Sequence, residues 1–320
     1  MSRLPWTVHA SSVELPLDKW LASDWNNAQK RLDESGALLF RGFSVPDVDH
    51  FRASVTAADP EMLDYEEPST PRSEVGGKVF TSTEYPSDQR IPLHNEMAYR
   101  RSWPRLLWFW CGVPAEQGGE TPLADYRRVH DRLPEEIRAA FSEKGVMYER
   151  RFNTGFDLTW QHVFGTGERD MVERKLKGDG VEFTWLSDDR LLTRTTVEGV
   201  LTHPRTGEKS WFNQVNLFHP SSLDPEVRSG LEAAFGVDGH PRTAKFGDGS
   251  EIPERMLAEI RSAIDAETIL PKWEAHDVLV VDNLSVAHGR EPFHGNRRVC
   301  VAMTGAMESA YAHKNKGGLQ

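Results

Sequence analysis

The sequence predicts a mostly β fold with added helices, an antiparallel sandwich or open barrel rather than a doubly wound sheet. Strand-like segments dominate the outer thirds of the chain, and they do not alternate with helices as βαβ units would. No glycine-rich phosphate loop follows a strand. No linker rich in proline and serine divides the chain, so we expect a single domain over residues 1–320 that contains a large insertion.

The N-terminal part is expected to place two helices around a short strand. Apolar residues recur at helical spacing over residues 17–34, and the Ser-Gly pair that follows is typical of a helix end. The segment "ALLFRG" (residues 37–42) then predicts a short buried strand. The segment "VPDVDHFRASVTA" predicts a second helix, with Pro46 near its start.

The rest of the chain is richer in predicted strands. The continuous apolar run "LLWFWCGV" (residues 106–113) is typical of a strand that is buried on both faces. Further strands are predicted in "VMYERRF", "GEKSWFNQVNLFHP", "HDVLVVDN" and "RRVCVAMTG". Two more helices are predicted in "LPEEIRAAFSEKG" and "EIPERMLAEIRSAIDAETI".

Composition narrows the class of protein. The net charge is −11, from 49 acidic and 38 basic residues, which gives no broad attraction to nucleic acid or to an anionic membrane. No apolar run is long enough for a membrane span, and the N-terminus lacks the apolar region of a secretory signal. Cys111 and Cys300 lie in apolar runs and are expected to be buried free thiols, so we expect a cytoplasmic protein.

His94 and Glu96 are the first candidate metal ligands. Side chains at i and i+2 of a strand project from the same face, so an imidazole and a carboxylate could converge on one ion. A third ligand must come from elsewhere, and His288 follows the predicted strand "HDVLVVDN". Two histidines and one carboxylate form a facial triad with open positions, which is typical of non-haem Fe(II) that binds a co-substrate and O₂ together.

An arginine pair follows His288 at the start of the last predicted strand. A guanidinium at Arg297 or Arg298 could form a bidentate salt bridge with a carboxylate co-substrate. Because successive side chains on a strand point to opposite faces, only one of the two can do so.

Four segments together resemble one family. They are "PLHNEMAY", "GGETPLAD", "DNLSVAHGREPF" and "RRVCVAM", which follow in this order between residues 92 and 303, and the resemblance covers roughly residues 37–303. The sequence resembles the TauD/TfdA group of Fe(II)/2-oxoglutarate-dependent dioxygenases, with the clavaminate-synthase-like and SyrP-like branch as the most similar. The resemblance implies a double-stranded β-helix (jelly-roll) core with flanking helices and a large insertion.

The resemblance also implies roles for individual residues. It implies that His94, Glu96 and His288 bind the iron, and that Thr121 hydrogen-bonds a 2-oxoglutarate carboxylate. An arginine of "RRVCVAM" is implied to anchor the distal carboxylate of 2-oxoglutarate; Arg298 is the first choice and Arg297 the alternative. The implied cofactors and co-substrates are Fe(II), 2-oxoglutarate and O₂.

The implied reaction is hydroxylation of an unactivated C–H bond of an amino-acid-like substrate, with release of succinate and CO₂. The substrate is a small molecule, either free or tethered to a carrier protein of natural-product biosynthesis. The alternatives are a small acid such as a sulfonate, or desaturation or cyclisation by the same iron chemistry. Seven residues are candidates for contact with the substrate: Glu84, Tyr85, Arg90, Arg151, Trp160, Gln214 and Asn216.

Two other classes of protein could use the same ligands. A zinc or other metallohydrolase would need a general base beside the bound water, but no arginine for a carboxylate co-substrate. A jelly-roll protein could also retain the metal site without oxygenase activity.

Overall fold

The computed structural model describes residues 4–11, 15–64, 73–82, 85–187, 189–236 and 239–309. Its largest sheet, here the major sheet, has seven strands in the described chain. In spatial order they are β1 (Trp6–His9), β2 (Ala37–Arg41), β16 (Val278–Asp282), β6 (Ser102–Val113), β19 (Arg298–Glu308), β4 (Val79–Thr81) and β3 (Glu74–Gly76). The pairing of β6 with β19 is antiparallel over almost the full length of both strands.

A smaller, four-stranded sheet faces the major sheet. Its spatial order is β15 (Thr268–Ile269), β8 (Leu123–Asp125), β17 (Val286–Arg290) and β5 (Ile91–His94). One apolar cluster joins the two sheets, with Leu107 and Leu279 of the major sheet and Leu123 and Val286 of the minor sheet. This sandwich is the jelly-roll core that the sequence predicts, and the fold prediction is confirmed.

Helices cover the outer face of the major sheet. The helix α1 (Leu17–Ser35) ends at Gly36, which adopts the left-handed conformation. The helix α2 (Val48–Ala58) begins after Asp47, whose carboxylate accepts a hydrogen bond from the backbone N–H of His50 at 3.0 Å. Leu21 and Phe51 of these helices pack with Trp108 in a second apolar cluster.

The predicted insertion lies between the strands of the minor sheet. Its own sheet has the order β10 (Glu182–Trp185), β11 (Leu191–Val197), β9 (Val146–Phe152) and β14 (Arg242–Phe246). Its longer helices are α3 (Tyr126–Arg132), α4 (Glu135–Lys144), α5 (Trp160–Phe164), α6 (Arg169–Gly178), α8 (Pro225–Phe235) and α9 (Glu254–Glu267). Two short strand pairs complete the described chain: β7 (Gln117–Gly118) with β18 (Phe293–His294), and β12 (Leu201–Thr202) with β13 (Lys209–Ser210).

One predicted strand is wrong. In "GEKSWFNQVNLFHP" only β13 is extended, and the following residues form the short helix α7 (Val215–Phe218) and a 3₁₀ turn (Pro220–Ser222). The Asn213 side chain accepts a hydrogen bond from the backbone N–H of Val215 at 3.2 Å, and so turns the chain where alternation suggested extension.

Two sequence expectations concern the whole chain. Cys111 and Cys300 are both buried free thiols, as expected. Across the residues that the structure describes, every helix falls short of the length and apolar character needed to span a bilayer.

Gly289 lies at a close approach between β17 and β5. A Cβ at this position would lie 2.5 Å from the carbonyl oxygen of Ile91 and 3.3 Å from the backbone nitrogen of Leu93. The register of the two strands also shifts between His288 and Arg290, so close approach of the backbones is part of how the strands pair.

We therefore expect Gly289→Ala to force these strands apart and to lower the free energy of unfolding by about 1–3 kcal/mol. Denaturant unfolding measures the change. The control is Gly167→Ala, since Gly167 is exposed and an added Cβ there meets no atom within 4 Å. Equal stability of the two variants would show that the β17–β5 contact is not close.

Candidate metal centre

Three predicted ligands converge at one end of the minor sheet. His94 lies at the end of β5 and pairs directly with His288 of β17, and the centroids of the two rings are 4.5 Å apart. A carboxylate oxygen of Glu96 lies 3.8 Å from Nε2 of His288. One ligand atom from each residue lies within 4.8 Å of the other two. The cluster is therefore compact enough to hold a single metal ion.

The position of Glu96 differs from the prediction that His94 and Glu96 lie on one face of the same strand. The strand β5 ends at His94, and Glu96 lies in the turn that follows, so strand alternation does not bring the two ligands together. The turn passes through Met97, whose φ of 58° is uncommon for a residue with a side chain. The turn is what bends the carboxylate back toward the histidines.

Asn283 holds this turn in place. Its side-chain oxygen accepts the Glu96 N–H at 2.7 Å, and its amide nitrogen donates to the carbonyls of Glu96 at 3.0 Å and Pro104 at 2.9 Å. The Asn95 side chain donates in return to the Asn283 carbonyl at 2.6 Å. Asn283 is fully buried and lies in the loop that leads into β17. The loop before His288 therefore positions Glu96.

The orientation of the His94 ring is also fixed. Nδ1 of His94 lies 2.8 Å from the carbonyl oxygen of Pro92, and a carbonyl only accepts, so Nδ1 carries the proton. Nε2 of His94 is then the unprotonated nitrogen, which is the form that can bind a metal. Two imidazole nitrogens and one carboxylate oxygen match the donor set of a non-haem Fe(II) site that keeps positions open.

A cleft beside the cluster contains the other predicted residues. Thr121, Arg290 and Arg297 line it together with His94 and His288. Nε of Arg297 donates to the carbonyl oxygen of Gly119 at 2.9 Å, and Oγ1 of Thr121 accepts from the indole of Trp273 at 3.1 Å. Thr121 and Arg297 thus line the same cleft as the two histidines.

Arg298, the first choice of the sequence analysis, does not line this cleft, whereas the alternative, Arg297, does. Arg298 is exposed, and its guanidinium lies over the ring of Trp110 at 5.8 Å. Val299 and Val301 line the cleft, and alternation along β19 puts Arg297 on their side and Arg298 on the opposite side.

Arg290 is a cleft residue that the sequence analysis missed. It lies two residues beyond His288 on the same strand, and this i, i+2 spacing is the signal that could have identified it. Its guanidinium donates to the carbonyl oxygens of Tyr85, Pro86 and Gln89, at 3.0, 2.5 and 2.9 Å. Burial, and the nearby charge of Arg290, lower the pKa of Arg297 to about 10. Within the described residues neither arginine forms a salt bridge, so the cleft is electropositive.

The predicted substrate residues are not gathered at this cleft. Glu84 lies outside the described residues, while Tyr85 and Arg90 are exposed, with Arg90 paired to Glu291 at 2.9 Å. Trp160 is buried in the apolar core of the insertion.

The other three candidates make backbone contacts instead. Arg151 donates to the carbonyl oxygen of His240 at 3.3 Å. The Gln214 side chain donates to the carbonyl of Asn95 at 2.5 Å, and Asn95 lies between the candidate ligands His94 and Glu96. The Asn216 side chain donates to the carbonyl of Leu93 at 3.4 Å. Gln214 and Asn216 therefore support the ligand segment from behind.

The fold and the cluster together define a class, a jelly-roll protein with a two-histidine, one-carboxylate site of the kind that non-haem Fe(II) oxygenases use. The family model described as "Taurine catabolism dioxygenase TauD, TfdA family" matches residues 3–305. The chain belongs to this family of dioxygenases, as the sequence resemblance indicated, and its cofactors are accordingly Fe(II), 2-oxoglutarate and O₂. Its substrate is a small molecule.

Two relatives are similar to the chain in sequence, and one solved structure is similar to it in fold. The chain is 40% identical over 297 residues to the dapdiamide synthesis protein DdaC of Enterobacter agglomerans, covering 92% of this chain and 89% of that protein. It is 32% identical over 284 residues to the clavaminate synthase-like protein At3g21360 of Arabidopsis thaliana, covering 85% and 82%. The crystal structure of AAD-2 in complex with Mn(II) and N-oxalylglycine matches with a TM-score of 0.56 at 15% identity, covering 95% of both chains.

The hydrogen bonds of Asn283 give a testable prediction. Asn283→Ala leaves three backbone groups without their partner, and we expect the free energy of unfolding to fall by about 1–3 kcal/mol. Because the turn that holds Glu96 loosens, we also expect the affinity for Fe(II) to fall about 10- to 100-fold, as for other groups that orient metal ligands. Anaerobic Fe(II) titration measures the affinity.

The control for this variant is Asn153→Ala. Asn153 hydrogen-bonds the backbone of Trp160 and Asp189 within the insertion. Its loss therefore lowers stability without affecting the turn that bears Glu96, here called the ligand turn. Equal loss of Fe(II) affinity in both variants would mean that general destabilisation, and not the Asn283 clamp, sets the affinity.

Proposed function

We propose that His94, Glu96 and His288 hold the iron of this dioxygenase, and that the enzyme hydroxylates an unactivated C–H bond of an amino-acid-like substrate. The observation that carries the proposal is the convergence of the three ligand atoms within 4.8 Å, at the edge of an electropositive cleft. Bound there with 2-oxoglutarate, the iron supplies oxidation by O₂, coupled to release of succinate and CO₂.

We further propose that Arg297 and Thr121 bind the distal carboxylate of 2-oxoglutarate. Arg290 and Arg297 place two cations beside the metal site, and a carboxylate bound between metal and arginine would offset their repulsion. The planar guanidinium suits bidentate contact with a carboxylate. Phe109, Val299 and Val301 give the same cleft an apolar wall that limits access of water.

The choice of substrate class rests on the branch of the family. The relative DdaC is named for dapdiamide synthesis, which supports a biosynthetic role here. An amino-acid-like molecule, free or tethered to a carrier protein, fits that role best. A small sulfonate, and desaturation or cyclisation in place of hydroxylation, remain the alternatives. We place the enzyme in the cytoplasm, since its two buried thiols suit a reducing compartment.

The metal assignment predicts a spectroscopic change. Anaerobic addition of Fe(II) and 2-oxoglutarate should give a weak visible charge-transfer band, and His94→Ala should abolish both the band and succinate formation. His9→Ala, at an exposed histidine of β1, should keep both. Stimulation of succinate release by amino acids over sulfonates would support the substrate class. A band that survives in His94→Ala would contradict the ligand set.

The arginine pair offers a matched comparison of neighbouring residues. We expect Arg297→Gln to raise the KM for 2-oxoglutarate about 100-fold or more, because a buried partner of a carboxylate is lost. Arg298→Gln should change that KM less than about threefold, since an exposed charge outside the cleft contributes little. Steady-state succinate assays measure both values, and the reverse order would restore Arg298 as the anchor.

A further inference from the structure

A second cavity lies on the insertion side of the ligand turn. Its volume is about 310 Å³, which falls within the usual range for small-molecule sites. The walls come from β9, β11, α5, α6 and the segment 99–102, and Glu308 of β19 also lies in the wall. We call this space the insertion cavity. The segment 99–102 connects the turn that bears Glu96 to the start of β6, so the cavity adjoins the candidate metal centre along the chain.

The segment 99–102 presents polar groups without partners to this cavity. Arg101 forms no ion pair with any described residue, and its Nε is buried without a hydrogen bond. The hydroxyl of Tyr99 is likewise buried and unbonded. Gly180 makes room for the arginine, because a Cβ there would lie 2.1 Å from Nη1 of Arg101. Such groups are costly to bury unless something binds them.

The opposite wall carries two further arginines. Arg150 and Arg242 share the single carboxylate of Asp157, with contacts of 2.6–3.1 Å. Burial and the charge of Arg242 lower the pKa of Arg150. Burial alone would raise the pKa of Asp157, but the two arginines outweigh it and hold that pKa at about 2.

The remaining charged residues of the lining are Arg100, Glu149, Lys177, Asp179 and Glu308, and each of them already takes part in another interaction, so none is paired with Arg101. Glu149 pairs with Arg194 at 2.5 Å, and Asp179 pairs with Lys175 at 4.0 Å. Lys177 pairs with Glu173 at 3.0 Å. An anion is therefore the ligand that the cavity lacks.

An aromatic surface accompanies these cations. The rings of Tyr99, Tyr148 and Phe218 pack on one another, with centroid separations of 5.3–6.5 Å. A ligand that satisfies both surfaces is an organic anion, with a carboxylate for Arg101 and an apolar body for the rings. The hydroxyl of Tyr148 also accepts the backbone N–H of Gln214, whose side chain donates to the carbonyl of Asn95 in the ligand turn.

We propose that the insertion cavity binds the carboxylate of the amino-acid-like substrate through Arg101 and the Tyr99 hydroxyl. The proposal rests on the proposed function for the nature of the substrate, although binding itself does not need the iron. It requires that neutral amides of the same molecules bind more weakly than the acids, because they lack the charge that Arg101 would meet.

Metal-free protein tests the proposal separately from turnover. The probes are the N-acetyl derivatives of the common amino acids and the amides of those derivatives, and calorimetry measures their dissociation constants. We expect at least one acid to bind in or below the millimolar range. The amide of that acid should bind the wild-type protein about 10- to 100-fold more weakly than the acid does. The acid itself should bind the Arg101→Gln variant more weakly by about the same factor, which is the usual effect of losing a charged hydrogen bond.

Two further variants keep the test decisive. Tyr99→Phe removes only a hydroxyl that has no partner in the described structure, so a purely structural role predicts unchanged or higher thermal stability. The proposal predicts, in addition, weaker binding of the acid. Arg255→Gln, at an exposed arginine of α9 outside the cavity, should leave binding unchanged.

The outcomes separate the two ideas. Equal affinity for acids and amides, unaltered binding in both Arg101→Gln and Tyr99→Phe, or no binding of any acid would overturn the cavity proposal. Lack of 2-oxoglutarate-dependent succinate formation in the iron-loaded wild-type enzyme would instead overturn the proposed function, whatever the cavity binds.

Discussion

The pairing of β5 with β17 is the constraint on which the rest of the site depends. Neighbouring strands lie about 5 Å apart, so a residue placed directly opposite another on the same face is held at ligand spacing. His94 and His288 occupy such positions. The third ligand is not on a strand, and its turn is fixed by Asn283, five residues before His288. One short segment, residues 283–289, therefore holds all three ligands in register.

Charge is distributed in an unusual way between the surface and the interior. The chain carries a net charge of −11, yet Arg290 and Arg297 are placed beside the metal cluster without a carboxylate partner in the described chain. A buried charge that lacks a partner costs several kcal/mol. On the proposed function, the missing partner is an anionic ligand. Because a bound carboxylate favours the charged guanidinium, it would raise the lowered pKa of Arg297 back toward its ordinary value.

The sequence predicted which residues could be metal ligands because metal chemistry restricts the residue types, and four motifs in order leave little freedom. Between the two neighbouring arginines it gave Arg298 first, although Arg297 is the one that lines the cleft. Both faces of β19 are buried, so the hydrophobic pattern does not show which face borders the cleft. The turn that bears Glu96 was not predicted for a similar reason, because a positive φ at Met97 has no signal in the sequence.

The insertion cavity was beyond sequence analysis for another reason. Arg101, Arg150 and Arg242 are far apart in the chain, and only the register of β9 with β14 brings the last two onto one carboxylate. Each arginine alone is an ordinary surface candidate. Their proximity around one cavity exists only after folding.

The spaces on the two sides of the ligand turn are built from different parts of the chain, so one part can serve the reaction while the other selects the substrate. The cleft beside the three candidate ligands is built from the two sheets of the jelly roll, whereas the cavity is built largely from the insertion. The segment from Glu96 to Arg101 connects a candidate metal ligand to the wall of the cavity. On our proposals, a ligand in the cavity contacts the same turn that positions a metal ligand, and it can influence the metal centre only by favouring one arrangement of that turn. Met97, held at a positive φ in the middle of it, gives the turn a strained conformation that contacts on both sides must maintain.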